Sequence, residues 1–189
     1  MVKVGFIVEG DSEMVFMKRN TAFHQLLLNL NIEVVSLVDG KGGQLLNPRL
    51  LNGLKGICKD AGAEHIFILT DLDEENSFEQ KKLKLDGENV TSIVIAKRSF
   101  EAWFLADTNV IRIILGNPDY YCESPEDINT PFEEIKRLAI LFREGKGYGS
   151  KPLLAGRMNS HGFNIEKAAQ HPNCPSAKYF INKLQELAQ

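Results

Sequence analysis

Short apolar runs separated by stretches of helical spacing dominate the first half of the chain, and they constrain its fold more than any other feature. Val2 to Val8, Ile32 to Val38, His65 to Thr70 and Val90 to Ala96 are rich in β-branched residues and nearly continuous in apolar character. Such runs suit strands covered on both faces, as in a parallel sheet, better than the alternating pattern of a half-exposed strand. Between the first two, Val15, Phe16, Phe23, Leu26, Leu27 and Leu30 recur at close to helical spacing, which predicts a helix over 12–30. Asn47-Pro48 offers an N-cap and a first-turn proline for a helix reaching about Ala61, with Gly62 as its stop. A Lys-rich helical stretch precedes the fourth run. Strand and helix in alternation predict an α/β fold with a parallel sheet.

Beyond Lys97 the strand signals cease. Thr130-Pro131-Phe132-Glu133 has the form of a capping box with proline at N1, and Pro175 opens a last helix through Leu187. The expected organisation is therefore an α/β core over residues 1–110 and a helical extension over 111–189 packed on it. Gly116 to Asn129 and Gly145 to Pro152 read as loops.

Lys and Arg number 22 against 25 Asp and Glu, so no global basic excess points to nucleic acid, and any such contact must use a local patch. Cys58, Cys122 and Cys174 are odd in number and lack CxxC spacing, which fits reduced cytoplasmic thiols rather than a disulfide frame or a zinc site. No segment reaches the ~18 apolar residues that span a bilayer, and the N-terminal apolar run is too short for a signal peptide.

The chemistry lies where the strands stop. The first ends in Glu9-Gly10-Asp11-Ser12-Glu13 and the third in Asp71-Leu72-Asp73. Asp11 or Ser12 can cap the following helix and Glu13 favours its first turn, so part of this acidity has a structural use. In a parallel sheet, however, both strand ends lie on the edge where open α/β folds place their ligands. Glu9, Asp71 and Asp73 are then expected to converge, and the i, i+2 spacing lets Asp71 and Asp73 address one ion while Leu72 turns away. After the fourth strand, Ser99 can cap a short helix carrying Glu101, a further acid at that edge. Clustered carboxylates need a cation or a proton between them, and hard oxygen donors select Mg²⁺ or Mn²⁺. Asp107 reads as a cap or helix end.

Together, VEGDSE and the later TDLD after an apolar strand resemble the TOPRIM domain shared by topoisomerases, primases and overcoming-lysogenization-defect (OLD) nucleases. RSFEAWFLAD and YGSKP are similar to small stand-alone TOPRIM proteins of the DUF4276 type, related to the RloB and OLD groups. The resemblance implies a TOPRIM-like, Rossmann-like four-stranded parallel sheet flanked by helices. It also implies a divalent metal held by Asp71, Asp73 and Glu101, with Glu9 as general acid/base or a further ligand, and phosphoryl-transfer chemistry of the nuclease kind. A nucleic acid substrate, a role in prokaryotic defence and a separate ATPase partner follow from the same resemblance.

Lys136, Arg137, Arg143, Lys146, Lys151 and Arg157 face one acid, Glu144, between positions 136 and 157, which forms the local basic segment. Lys151, in a glycine-rich loop, is the best candidate for a phosphate or transition-state contact. Lys41, in Asp39-Gly40-Lys41-Gly42-Gly43, lies after the second strand on the same edge. Neither glycine loop has P-loop spacing, and His24, His65, His161 and His171 lack metal-ligand spacing.

Overall fold

The computed structural model describes residues 1–72, 77–87, 90–145 and 147–188. Strands β1 (Val2–Val8), β2 (Ile32–Asp39), β3 (His65–Asp71) and β4 (Ser92–Ala96) form one sheet in the order β2-β1-β3-β4. All three pairings are parallel. The expected α/β fold, a four-stranded parallel sheet flanked by helices, is what forms.

Helices on both faces explain the continuous apolar strands. Val4, Phe6, Val8, Phe67, Leu69, Val94 and Ala96 point into one core, while Ile7, Ile66, Ile68, Ile93 and Ile95 point into the other. The second core is closed by α3 (Pro48–Asp60) and α4 (Phe78–Leu85) through Leu51, Leu54, Cys58 and Leu85. Gly5 is required there because a Cβ at this position would stand 2.8 Å from Cys58 Cβ and 2.9 Å from Ser36 Oγ. The β1–β2 register also shifts between Val4 and Gly5.

The first core is larger and takes in the second half of the chain. Its elements are α1 (Asp11–Arg19), α2 (Thr21–Asn29), α5 (Glu101–Ala106), α6 (Thr108–Leu115), α7 (Pro131–Phe142), α8 (Lys151–Ser160), α9 (Ile165–Gln170) and α10 (Pro175–Leu187). Phe180 of α10 stacks on Trp103 at 5.4 Å and meets Phe67 edge-on at 5.6 Å, and Phe163 meets Phe16 and Phe104. Helical extension and sheet thus share one core, and residue 110 falls inside α6.

Several local expectations are corrected. The helix expected over 12–30 is two helices, because Asn20 takes an extended backbone and its Oδ1 accepts the Phe23 amide at 2.7 Å. The Asn20 side-chain amide also donates to Phe163 O and Asn159 Oδ1, so a distant segment fixes the break. Ser99 does not cap α5; Phe100 is the capping position and has no side-chain bond of its own. Thr130 precedes α7 as expected but makes no capping bond. Helix α8 begins at Lys151, inside the expected loop, with Ser150 as its cap. Asp107 caps α6 and also accepts the Asn164 amide, in agreement with its structural reading. The three cysteines are buried and unpaired. Among the described residues no helix is long and apolar enough to cross a membrane.

Candidate active site at the carboxyl edge of the sheet

Parallel register sets Val8 beside Leu69 and Asp71 beside Ala96, so the ends of β1, β3 and β4 share one edge. The ladder continues one residue further, from Glu9 N to Leu69 O at 3.0 Å. This brings the Glu9 carboxylate over β3, where Oε2 accepts from the Asp71 amide at 3.0 Å and from the Thr70 hydroxyl. Lys81 of α4 approaches the same oxygen to 3.4 Å, and its ammonium also donates to the Asp71 carbonyl. Among the described residues, every hydrogen bond to the Glu9 carboxylate goes to Oε2, so Oε1 is the oxygen available for a proton or an ion.

Asp71 is buried and its Oδ1 accepts the Phe100 amide at 2.7 Å, tying β3 to the start of α5. That bond sets the position of Glu101, the next residue, which is 1% exposed. Ser12 Oγ donates to Glu101 Oε1 at 2.7 Å, and Lys151 Nζ stands 3.2 Å from Oε2. The lysine is misaligned for hydrogen bonding, so Oε2 is buried with an ion-pair contact and no hydrogen-bond donor. Glu9, Asp71, Glu101 and Lys151 are therefore brought together. Asp73 lies outside the described residues.

Glu13 is a fourth buried acid here, and sequence reasoning assigned it only to helix-end electrostatics. It lies in the first turn of α1, four residues after Glu9, and is 3% exposed. Burial pushes its carboxyl up to about 8, with Glu101 and Glu9 adding to the rise against a backbone hydrogen bond and Lys151. The place of Glu13 in the first turn of the helix that leaves the acid-bearing end of β1 was the available signal. Burial likewise raises Asp71 well above the carboxylate range, reinforced by Glu13 and Glu101. Lys151 experiences the complement: desolvation would lower its pKa, but Glu101 and Asp71 outweigh that and raise it. Lys81, which no local pattern marks, is a second cation beside these acids and, unlike the half-exposed Lys151, is buried.

Several acids this close, all shielded from water, disfavour their own ionisation, and a cation relieves that cost. Among the described residues no group of three acidic, His or Cys side chains is already arranged to hold a metal ion. The cause is visible: Glu9 Oε2 and Asp71 Oδ1 are turned onto internal donors. The donor chemistry nonetheless fits a hard divalent ion, because Glu101 Oε2 lacks a donor and the carboxylates supply only oxygen.

Over 96% of its length the chain superposes on 98% of the C-terminal region of the Burkholderia pseudomallei OLD protein, with a TM-score of 0.49 and 19% identity. No family model and no curated protein matches the sequence.

The other basic candidates lie outside this cluster. Lys41 is exposed and paired with Asp39 at 2.6 Å. Lys136 and Arg137 pair with Glu133 and Glu134 along α7, as on a solvated helix face. Arg143 binds the Tyr148 hydroxyl at 2.6 Å. Lys146 lies outside the described residues. A cavity of about 610 Å³ at the free edge of β4, lined by Phe78, Ile93, Ile95 and Tyr179, includes none of the four clustered acids.

Proposed function

We propose that this protein is a Mg²⁺- or Mn²⁺-dependent phosphoryl-transfer enzyme, a nuclease acting on DNA or RNA. One observation carries the reading: Glu9, Glu13, Asp71 and Glu101 are all at most 7% exposed and meet at one sheet edge beside Lys151. A fold that needed only structural acids would leave them in water. The TOPRIM-like motifs assign Glu9, Asp71 and Glu101 of these, and Asp73 joins the set through them.

Asp71, Asp73 and Glu101 would hold the ion, with Glu9 and Glu13 beside them. When bound, it would supply Lewis-acid polarisation of a phosphoryl oxygen. The chain's own groups do the rest. Glu9 Oε1 takes or returns a proton while Thr70, the Asp71 amide and Lys81 hold Oε2 in place. Lys151 offers positive charge to the phosphoryl group as negative charge builds on it. Ser12 orients Glu101. The resemblance of the motifs to OLD- and RloB-type proteins extends the proposal to prokaryotic defence and to a separate ATPase partner.

Cleavage of single- and double-stranded DNA and RNA with Mg²⁺ and with Mn²⁺ tests the reading, alongside Asp71→Asn, which keeps the side-chain oxygen facing Phe100. Metal-dependent cleavage lost in the variant is expected. Cleavage indifferent to Asp71→Asn, or none with any substrate, refutes it. A second reading is a non-catalytic metal- or partner-binding module, favoured by the Lys81 ammonium already seated against Glu9 and the Asp71 carbonyl. Site-dependent Mn²⁺ binding without cleavage would select that module.

A further inference from the structure

We infer that the cavity lined by Arg98, Ser99, Thr130 and Lys151 is a binding site for a backbone phosphate of nucleic acid, with Arg98 as its anchoring cation. The inference rests on the nuclease reading for the identity of the polymer, and on the following geometry for the site.

Arg98 lies just past β4, at the edge that carries the acids. Its φ is 68°, a left-handed conformation that an L side chain adopts only against a steric penalty. No internal bond accounts for that conformation: Nε is buried without a hydrogen-bond partner, and Asp127, whose charge the guanidinium feels, forms its ion pair with Lys97 and none with Arg98. Lys97, its neighbour, is already paired with Asp127 at 2.7 Å. A guanidinium kept in a disfavoured backbone position, with a buried unpaired donor, is arranged for an acceptor from outside the chain.

The cavity is about 500 Å³ and its other walls favour an anion. Thr130 precedes α7 and its hydroxyl makes no capping bond; with proline at the first position and the Glu134 amide bonded to Thr130 O at 3.0 Å, the hydroxyl and the Phe132 and Glu133 amides of this 12-residue helix remain open to a ligand. Phe132 and Glu133 of that first turn line the cavity, with the Glu133 carboxylate engaged by Lys136 at 3.3 Å. Lys151 closes the opposite side at the start of α8 and touches Glu101, so the cavity adjoins the acid cluster through a single side chain. A phosphodiester seated on Arg98 would therefore neighbour the one undergoing reaction, and the planar fork of arginine suits it.

The test uses fluorescence anisotropy of fluorescein-labelled single-stranded DNA and RNA oligonucleotides in EDTA, over a series of salt concentrations. Arg98→Gly is the informative variant, because glycine prefers φ near 68° and removes the side chain without straining the fold. Its melting temperature should equal or exceed that of the wild type. Its affinity should fall by about tenfold, and the slope of log affinity against log salt should shrink by about one. Arg98→Ala should weaken binding equally, and Arg98→Lys, which keeps charge without the fork, should fall between. Wild-type affinity in Arg98→Gly overturns the proposal, as does a loss of binding accompanied by a lowered melting temperature. The nuclease reading fails separately. Arg98-dependent binding by a protein that never cleaves removes the enzyme and leaves the site, whereas cleavage with Arg98-independent binding removes the site and leaves the enzyme.

Discussion

Metal-free protein should lose stability as pH rises, and Glu13→Gln should abolish much of that loss. The Glu13 carboxyl is pushed from 4.5 to about 8 by burial and then by Glu101 and Glu9. Between those two values the folded state binds a proton that the unfolded chain has released, so unfolding becomes easier with every increase in pH. The sign is the reverse of a salt-bridged acid. The contribution is fully present below about pH 4.5 and is lost as pH passes through about 8. At 1.36 kcal/mol per unit, this displacement sets an upper limit of about 5 kcal/mol for the full loss. Asp71, raised for the same reasons, adds in the same direction. Urea denaturation in EDTA from about pH 5 to about pH 8 measures it. The wild type should weaken by a few kcal/mol across that range. Glu13→Gln, which buries an amide of the same shape, should match it at the acid end and exceed it at the alkaline end. Added Mn²⁺ should flatten the wild-type curve by neutralising the cluster. Parallel curves for wild type and variant would refute the claim that this acid is buried at a cost.

Glu9→Gln should reduce nuclease turnover by about 10²–10⁴-fold while Mn²⁺ titration shows affinity largely kept; loss of Mn²⁺ binding would make Glu9 a ligand instead of a base. Gly5→Ala should destabilise the fold by about 1–3 kcal/mol, read by urea denaturation, because the new methyl has nowhere to go between Cys58 and Ser36. Phe180→Ala should cost about 3–5 kcal/mol and leave a single unfolding transition, since Phe180 joins the last helix to Phe23, Phe67 and Trp103. Two separate transitions in calorimetry would contradict the shared core.

Strand positions, their parallel pairing and the gathering of acids at one edge were all legible in the sequence. Apolar continuity reports burial on both faces, and parallel strands must end on the same side. The break at Asn20 was not legible, because its partners, Phe163 and Asn159, come from the other end of the chain. The start of α8 at Lys151 was masked by the glycines before it, although Ser150-Lys151-Pro152 carries an ordinary cap and first-turn proline. Glu9, Asp71 and Glu101 were marked by their places after strands, whereas Lys81 sits on a Lys-rich helix where nothing separates it from its neighbours.

What the sequence determined by itself is the inventory: which strands form, where each one stops, and that carboxylates stand at the stops. Only the tertiary structure decided which polar groups leave water together. Glu13 becomes a buried acid, Arg98 an unpaired cation and Lys151 a partner of Glu101 because segments far apart in the chain close over the same edge. Desolvation is a property of that closure, and so are the shifts in acidity and the unpaired donor that the proposals use.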